Sequence, residues 1–138
     1  MLLDIRELPL SRKKGFSKKS LQAAVEEAGI RYEHVRDLGD PKPGREAARS
    51  GNYKEFEKIF STHLASEKAQ SALTKLVPVA QSERMCLLYF ERSHKHCHRT
   101  MVAKEFSKFV DITIRHIGVN CKIERKQTEK KQSTEAVI

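Results

Sequence analysis

Apolar and polar positions along the chain alternate between two periods, and the switches divide it into short elements. "LLDIREL", Leu2 to Leu8, is apolar and β-compatible ahead of the turn-like "PLSRKKGFS", which predicts a strand ending in a basic loop. Leu21, Ala24, Val25 and Ala28 then recur at helical spacing, with Ser17 or Ser20 as the cap and Gly29 as the stop. "IRYEHVRDL" reads as a short strand because it runs into "GDPKPG", a cluster of turn formers. From Gly44 to Ala80 the pattern is helical in two pieces. Tyr53, Phe56, Ile59 and Phe60 stripe the first, and Ala69, Leu73, Leu76 and Val77 the second, with Pro78 expected to end or bend it.

"MCLLYF" is a continuous apolar run of the length expected for a strand buried on both faces of a helix-covered parallel sheet. Cys86 within it reads as a small core residue. "CHRTMVAKEFSKFV" follows as a helix with Met101, Val102, Phe106 and Phe109 inward, and "DITIRHI" closes as another strand. Strands alternating with helices predict an α/β fold: a single three-layer domain with a mainly parallel sheet of about four strands flanked by helices. Residues 1–120 form that domain, and residues 121–138 are a basic tail with too few apolar residues to fold.

Composition narrows the class of partner. The formal net charge is +9 over 138 residues, with a pI of about 9.6, which favours phosphate-bearing or polyanionic partners by long-range attraction. Three cysteines without a disulfide framework and the absence of an opening signal segment point to the cytoplasm. No apolar run approaches the ~20 residues needed to cross a bilayer, so no membrane partner is expected. No sequence feature names a cofactor.

Candidate chemistry is concentrated in "CLLYFERSHKHCHRTMVA", Cys86 to Ala103. Placing Phe90 near a strand end and Cys97 near a helix start puts the loop between them at the sheet edge where open parallel sheets bind ligands. A helix N-terminus favours anions and lowers the pKa of a thiol, which makes Cys97 a candidate thiolate. Asp4, Arg6 and Arg12 reach the same edge from the first strand and its loop, as do Arg36 and the Gly39 to Lys42 loop from the second. His94, His96, Cys97 and His98 could ligate a metal, but adjacent residues in a turn diverge and no second ligand pair stands elsewhere, so no metal is assigned. Cys86 to Ser93 has the C-x5-R-S spacing of cysteine phosphatases, yet a glycine-free Leu-Leu-Tyr-Phe-Glu insert cannot make a tight nest around phosphate. Arg99 in a helix's first turn calls for an anionic neighbour, either Glu91, Asp4 or a bound anion.

These residues resemble the domain of unknown function family 488. Its members show a "DVRS-P-SR" segment, matched here by Asp4-Ile5-Arg6-Glu7 with Pro9, Ser11 and Arg12, and a "GI-Y-H" entry, matched by Gly29-Ile30, Tyr32 and His34. An "LG-P" loop matches Leu38-Gly39 and Pro41, and "LLC-E-----CHRS" matches Cys86, Glu91 and Cys97-His98-Arg99-Thr100. The likeness runs from about Leu2 to Ile117. It implies an α/β domain and no established activity, and it marks Asp4, Arg6, Glu91, Cys97, His98 and Arg99. Family members usually begin with a further strand and helix carrying an "IGHS"-like segment, whereas this chain starts at the "DVRS" strand, the pattern expected either of a truncated gene model or of a degraded, inactive copy. Glu7 replaces a small polar residue.

The leading expectation is an enzyme-like site at the C-terminal sheet edge that binds a phosphate-bearing or nucleotide-like ligand. In it Arg6, Arg99 and Arg12 hold the anion, Cys97 is the nucleophile, His98 or Glu91 transfers the proton and Asp4 orients. The alternatives are a non-catalytic nucleotide or nucleic-acid binding module, using the basic loop Arg12 to Lys19 and the basic tail, or a structural ion-pair network of Asp4, Arg6, Glu91 and Arg99.

Overall fold

The computed structural model describes residues 1–91 and 95–117. Three parallel strands, β1 (Leu2–Asp4), β2 (Tyr32–His34) and β3 (Cys86–Leu88), lie in the order β2-β1-β3. β1 and β2 are joined by α1 (Lys18–Glu27). β2 leads through a 3-10 turn (Arg36–Leu38) into α2 (Lys42–Arg49), α3 (Tyr53–Leu64) and α4 (Glu67–Ser82), and β3 is followed by α5 (His98–Phe106).

Local sequence accounts for the helix boundaries. Gly29 ends α1 at φ +74°, a left-handed conformation that glycine adopts without steric cost. The Asn52 side chain accepts from the Glu55 backbone N–H at the start of α3, and Ser66 accepts from the Ala69 N–H at the start of α4. α4 continues four residues past Pro78, so the proline does not end it. The stretch expected as two helices forms three, because Ser50, Gly51 and Asn52 separate α2 from α3, with Gly51 at φ +77°.

Side-chain alternation on β1 sets the layers. Leu3 and Ile5 face one side and join Phe56, Phe60 and Leu64 of α3, Ala69, Leu73 and Leu76 of α4, and Val102 and Phe106 of α5 in one buried cluster. Each helix contributes residues three or four apart, the period of a single buried face. Asp4 and Arg6 face the other side, where Leu21 of α1 and Tyr32 are also buried. Leu87 packs on the first cluster, while Cys86 and Leu88, in register with Leu2 and Asp4, share the second side.

Three expectations are corrected. The sheet has three strands rather than four among the described residues, because residues 111–117 form no strand. Their alternating isoleucines suit a strand, but Ile114 and Ile117 are exposed, and β-propensity acts only where a neighbouring edge accepts the backbone. β3 is an edge strand with Cys86 exposed, not a doubly buried one; Phe90 lies beyond its end and is exposed, and Cys86 is not a core residue. Strand β1 and helix α5 are shorter than expected, with Phe109 beyond α5 and 46% exposed. The expected tail, 121–138, lies outside the described residues.

The chain leaving β1 and the chain leaving β2 touch at Gly39, where a Cβ would overlap the Glu7 backbone, its Cα being 2.7 Å away. Gly39→Ala is therefore expected to cost about 1–3 kcal/mol by forcing these two segments apart. Urea unfolding checks this: a midpoint equal to that of the native chain would show that the contact yields freely.

Candidate functional site

The order β2-β1-β3 means that the chain steps from β1 to one side and later returns to the other. Open α/β sheets bind ligands in the crevice outside the strand ends at such a reversal, which here falls between β1 and β3. A cavity of about 360 Å³ lies there. Leu10, Ser11 and Arg12 from the segment after β1 line it together with Tyr89, Phe90 and Glu91 from the segment after β3, and Arg45 and Arg49 of α2 close it. Three arginines thus face one glutamate across an open cleft. A wider depression beside α4 is lined by Glu33, Asp37 and Glu67 against Arg36, Lys68 and Lys75, so its charges offset one another.

Arg45 is held in place: one guanidinium nitrogen donates to the Glu7 carboxylate and to the Asp40 carbonyl, the latter at 2.7 Å. Neither Arg12 nor Arg49 has an ion-pair partner among the described residues. A guanidinium left exposed in a concave wall retains its fork of donors for an incoming oxyanion.

Asp4 and Arg6 form a buried pair beside the cleft. Arg6 Nε donates to Asp4 Oδ1 at 2.7 Å and Nη2 donates to Oδ2 at 2.5 Å, with the side chains 0% and 2% exposed. Tyr32 donates its hydroxyl to Asp4 Oδ2 at 2.6 Å, and Arg6 Nη1 donates to the Phe16 carbonyl at 2.7 Å. Burial alone would raise the Asp4 carboxyl, but the bonds from Arg6 and Tyr32 outweigh it and hold it below the usual range. His34 Nε2 donates to the Arg6 carbonyl at 2.7 Å, which leaves Nδ1 as the acceptor facing Lys18 Nζ at 3.3 Å.

Cys97 caps α5 with its thiol buried. Burial pushes that thiol up to about 11, outweighing the backbone hydrogen bond and charge of Arg99 that lower it, so the group is a thiol at neutral pH. His98 is fully buried between Tyr89, whose ring centroid is 3.8 Å away, and Phe60 at 4.8 Å. Its Nε2 donates to the Ile5 carbonyl at 3.2 Å, Nδ1 has no partner among the described residues, and burial lowers its pKa to about 3. Arg99 is half-buried in the first turn of α5, and Glu91 stands exposed in the cleft wall. Exposed His96 stacks on Tyr53 at 4.1 Å, and His94 lies outside the described residues.

Of the residues marked from sequence, the cleft wall holds Arg12 and Glu91, whereas Asp4 and Arg6 are bonded to each other and Cys97 and His98 are packed in the interior. Arg45 and Arg49 were missed, and Asp40 was included only as part of the Gly39 to Lys42 loop. Their signal was faint: a "GDPKPGR" turn leading into a helix whose fourth and eighth residues are arginines. Asp40 is 2% exposed, Oδ1 has no hydrogen-bond partner among the described residues, and the side chain rests on Gly44 where any Cβ would collide with it. Burial, with the nearby charge of Glu91, raises its carboxyl to about 7.

The model of the family described as Domain of unknown function DUF488 matches residues 1–106. No curated protein and no solved structure matches the chain.

A raised Asp40 pKa means that the folded chain keeps a proton that the unfolded chain releases near pH 4. The stability this contributes is full below the unfolded value and is lost as pH rises through about 7. Between pH 5 and pH 8, Asp40→Asn is expected to gain on the order of 2–3 kcal/mol relative to the native chain. Urea titrations at several pH values read this directly, and a pH-independent difference would place Asp40 in a solvated setting.

Proposed function

The chain belongs to the domain of unknown function family 488, whose name carries no reaction, and on that premise we propose that its switch-point cleft binds a phosphate-bearing ligand. One observation carries the reading: Arg12, Arg45 and Arg49 converge with Ser11 on a cavity outside the carboxyl ends of β1 and β3. Arginine's planar fork matches phosphate oxygens, and the net charge of +9 draws polyanions toward it. Arg6, bonded to Asp4, supports the wall from behind instead of reaching the ligand.

Proton transfer in this proposal falls to Glu91 in the wall, with Asp40 behind Arg45 as a second carboxyl in a drier setting. Asp40, whose carboxyl is raised to about 7 by burial and by the nearby charge of Glu91, is able to carry a proton near neutral pH, as a general acid must. Cys97 and His98 serve as packed support behind the cleft. That same packing favours a second reading, a module that binds its ligand without chemistry, since a nucleophile must reach the reacting atom and Cys97 is only 3% exposed. Nucleic acid is a further candidate through Arg12, Lys13 and Lys14 of the basic loop.

Thermal shift and calorimetry with inorganic phosphate and pyrophosphate test the cleft. Arg12→Ala and Arg49→Ala are each expected to weaken binding by about tenfold, the loss of one charge-assisted contact. Arg36→Ala, outside the cleft, is expected to leave it unchanged. Equal binding by all three variants would remove the cleft as the site. A steep salt dependence shared by DNA and RNA, with no shift from small phosphates, would transfer the proposal to nucleic acid.

A further inference from the structure

Beside the arginines and Glu91, the cleft wall has an apolar part. Phe90 is 47% exposed and lines the cleft, as does Leu10 at 69% exposed. Apolar side chains set among a few polar groups in a concave wall are the ordinary lining of ligand sites. The Phe90 ring has one face committed. The Arg6 guanidinium lies 5.1 Å from its centroid, and Arg6 is itself 2% exposed and fixed by Asp4 and the Phe16 carbonyl. A buried cation behind the ring leaves the exposed area of Phe90 on the side away from Arg6. Tyr89 meets the ring edge-on at 5.5 Å, which restrains its tilt. Phe90 is thus a flat platform, set in advance, a few side chains from three arginines.

We infer that the cleft takes a phosphate ester carrying a flat aromatic group, a nucleobase or a simple aryl ring, and that Phe90 stacks against that group while the arginines hold the phosphate. The inference rests on the proposed phosphate reading and deepens it by naming the rest of the ligand. The cavity, about 360 Å³, falls at the small end of the ~300–1,000 Å³ typical of ligand pockets, which suits one ring and one phosphate better than a polymer. The cation behind the ring does not oppose stacking: it draws the ring's electron density toward Arg6, and the outer face becomes a better partner for electron-rich rings.

Calorimetry at fixed ionic strength with inorganic phosphate, ribose 5-phosphate, phenyl phosphate and AMP tests it. AMP, phenyl phosphate or both are expected to bind about five- to a hundredfold more tightly than the two probes without a ring, the range that stacking on one aromatic side chain supplies. A gain for AMP alone identifies a nucleobase, and a gain for both identifies the ring itself. Phe90→Leu keeps an apolar cover over Arg6 and is expected to erase the gain while leaving inorganic phosphate binding intact; Phe90→Tyr is expected to retain the gain. If ribose 5-phosphate matches AMP and phenyl phosphate while inorganic phosphate still binds, the platform is wrong and the arginine cleft stands. If Phe90→Leu weakens all four probes equally, the ring only shapes the wall and the inference fails. If inorganic phosphate itself does not bind, the phosphate reading fails and takes this one with it.

Discussion

The buried Asp4–Arg6 pair is the constraint on which the rest of the site depends. It sits on the central strand, on the sheet side opposite the main core, where α1 supplies the buried Leu21. Two charges taken out of water cost several kcal/mol each and recover it only when every donor and acceptor is met. Here both carboxylate oxygens accept, from Arg6 and from Tyr32, and the guanidinium reaches the Phe16 carbonyl across the loop. That last bond ties the segment after β1 back onto the sheet. Together with the Lys18 N–H donating to the Pro9 carbonyl and the bonds between Ser11 and Ser17, it fixes Leu10, Ser11 and Arg12 relative to Phe90. The pair is therefore an anchor for the loop that carries one wall of the cleft, and removing either partner would leave the other charge buried and unmatched.

The cleft itself follows from topology and needs no special motif. Parallel strands bring all their carboxyl ends to one edge, and the reversal of direction between β1 and β3 keeps the following segments from closing over each other. The segment after β1 is basic and the segment after β3 is aromatic and acidic, while α2 adds two arginines one helical turn apart. Gly39 and Gly44 make this approach possible, because the Glu7 backbone and the Asp40 side chain occupy the space where their side chains would be.

Much of this was legible in the sequence, and the failures have physical causes. The α/β class, the first two strands, the helix ending at Gly29 and the placement of Glu91 and Arg12 at one sheet edge follow from periodicity and turn residues. Cys97 and His98 looked chemical because reactive residue types were crowded together, but crowding in sequence is not convergence in space. On α5, His98 shares one buried face with Val102 and Phe106, four and eight residues on, and that helical spacing was the available warning; Cys97 is buried just ahead of the helix at its N-cap. Asp4 and Arg6 posed the opposite difficulty. An i, i+2 pair on a strand shares a face, so mutual bonding was open to them from the start, yet nothing local reports whether a third element will bury them. Arg45 and Arg49 were missed because four-residue spacing on a polar helix is ordinary, and only the fold turns that face toward β3. "MCLLYF" and "DITIRHI" were over-read because an apolar run states that burial is available, not that a neighbouring strand exists.

The electrostatics of the cleft turn on Asp40. Arg45 is neutralised by Glu7, which leaves Arg12 and Arg49 against Glu91. A surplus of one positive charge is a modest attraction for a dianion, and every nearby negative charge matters to it. Asp40 is close enough for its charge to raise the pKa of Tyr89 and Cys97, and its own carboxyl is raised by Glu91. With a pKa near 7 it is neutral for part of the chain population around neutral pH and charged for the rest. In the neutral form Glu91 alone opposes the attraction of Arg12 and Arg49 for the anion of the proposed reading. In the charged form an uncompensated carboxylate sits behind Arg45 in a region that screens it poorly. Gly44 closes off the obvious remedy, since its lack of a side chain lets Asp40 pack tightly while supplying no donor to Oδ1. The fold thus retains at the carboxyl edge of its sheet a buried carboxyl oxygen with no hydrogen-bond partner among the described residues, and this is the feature that most favours the proposed ligand site.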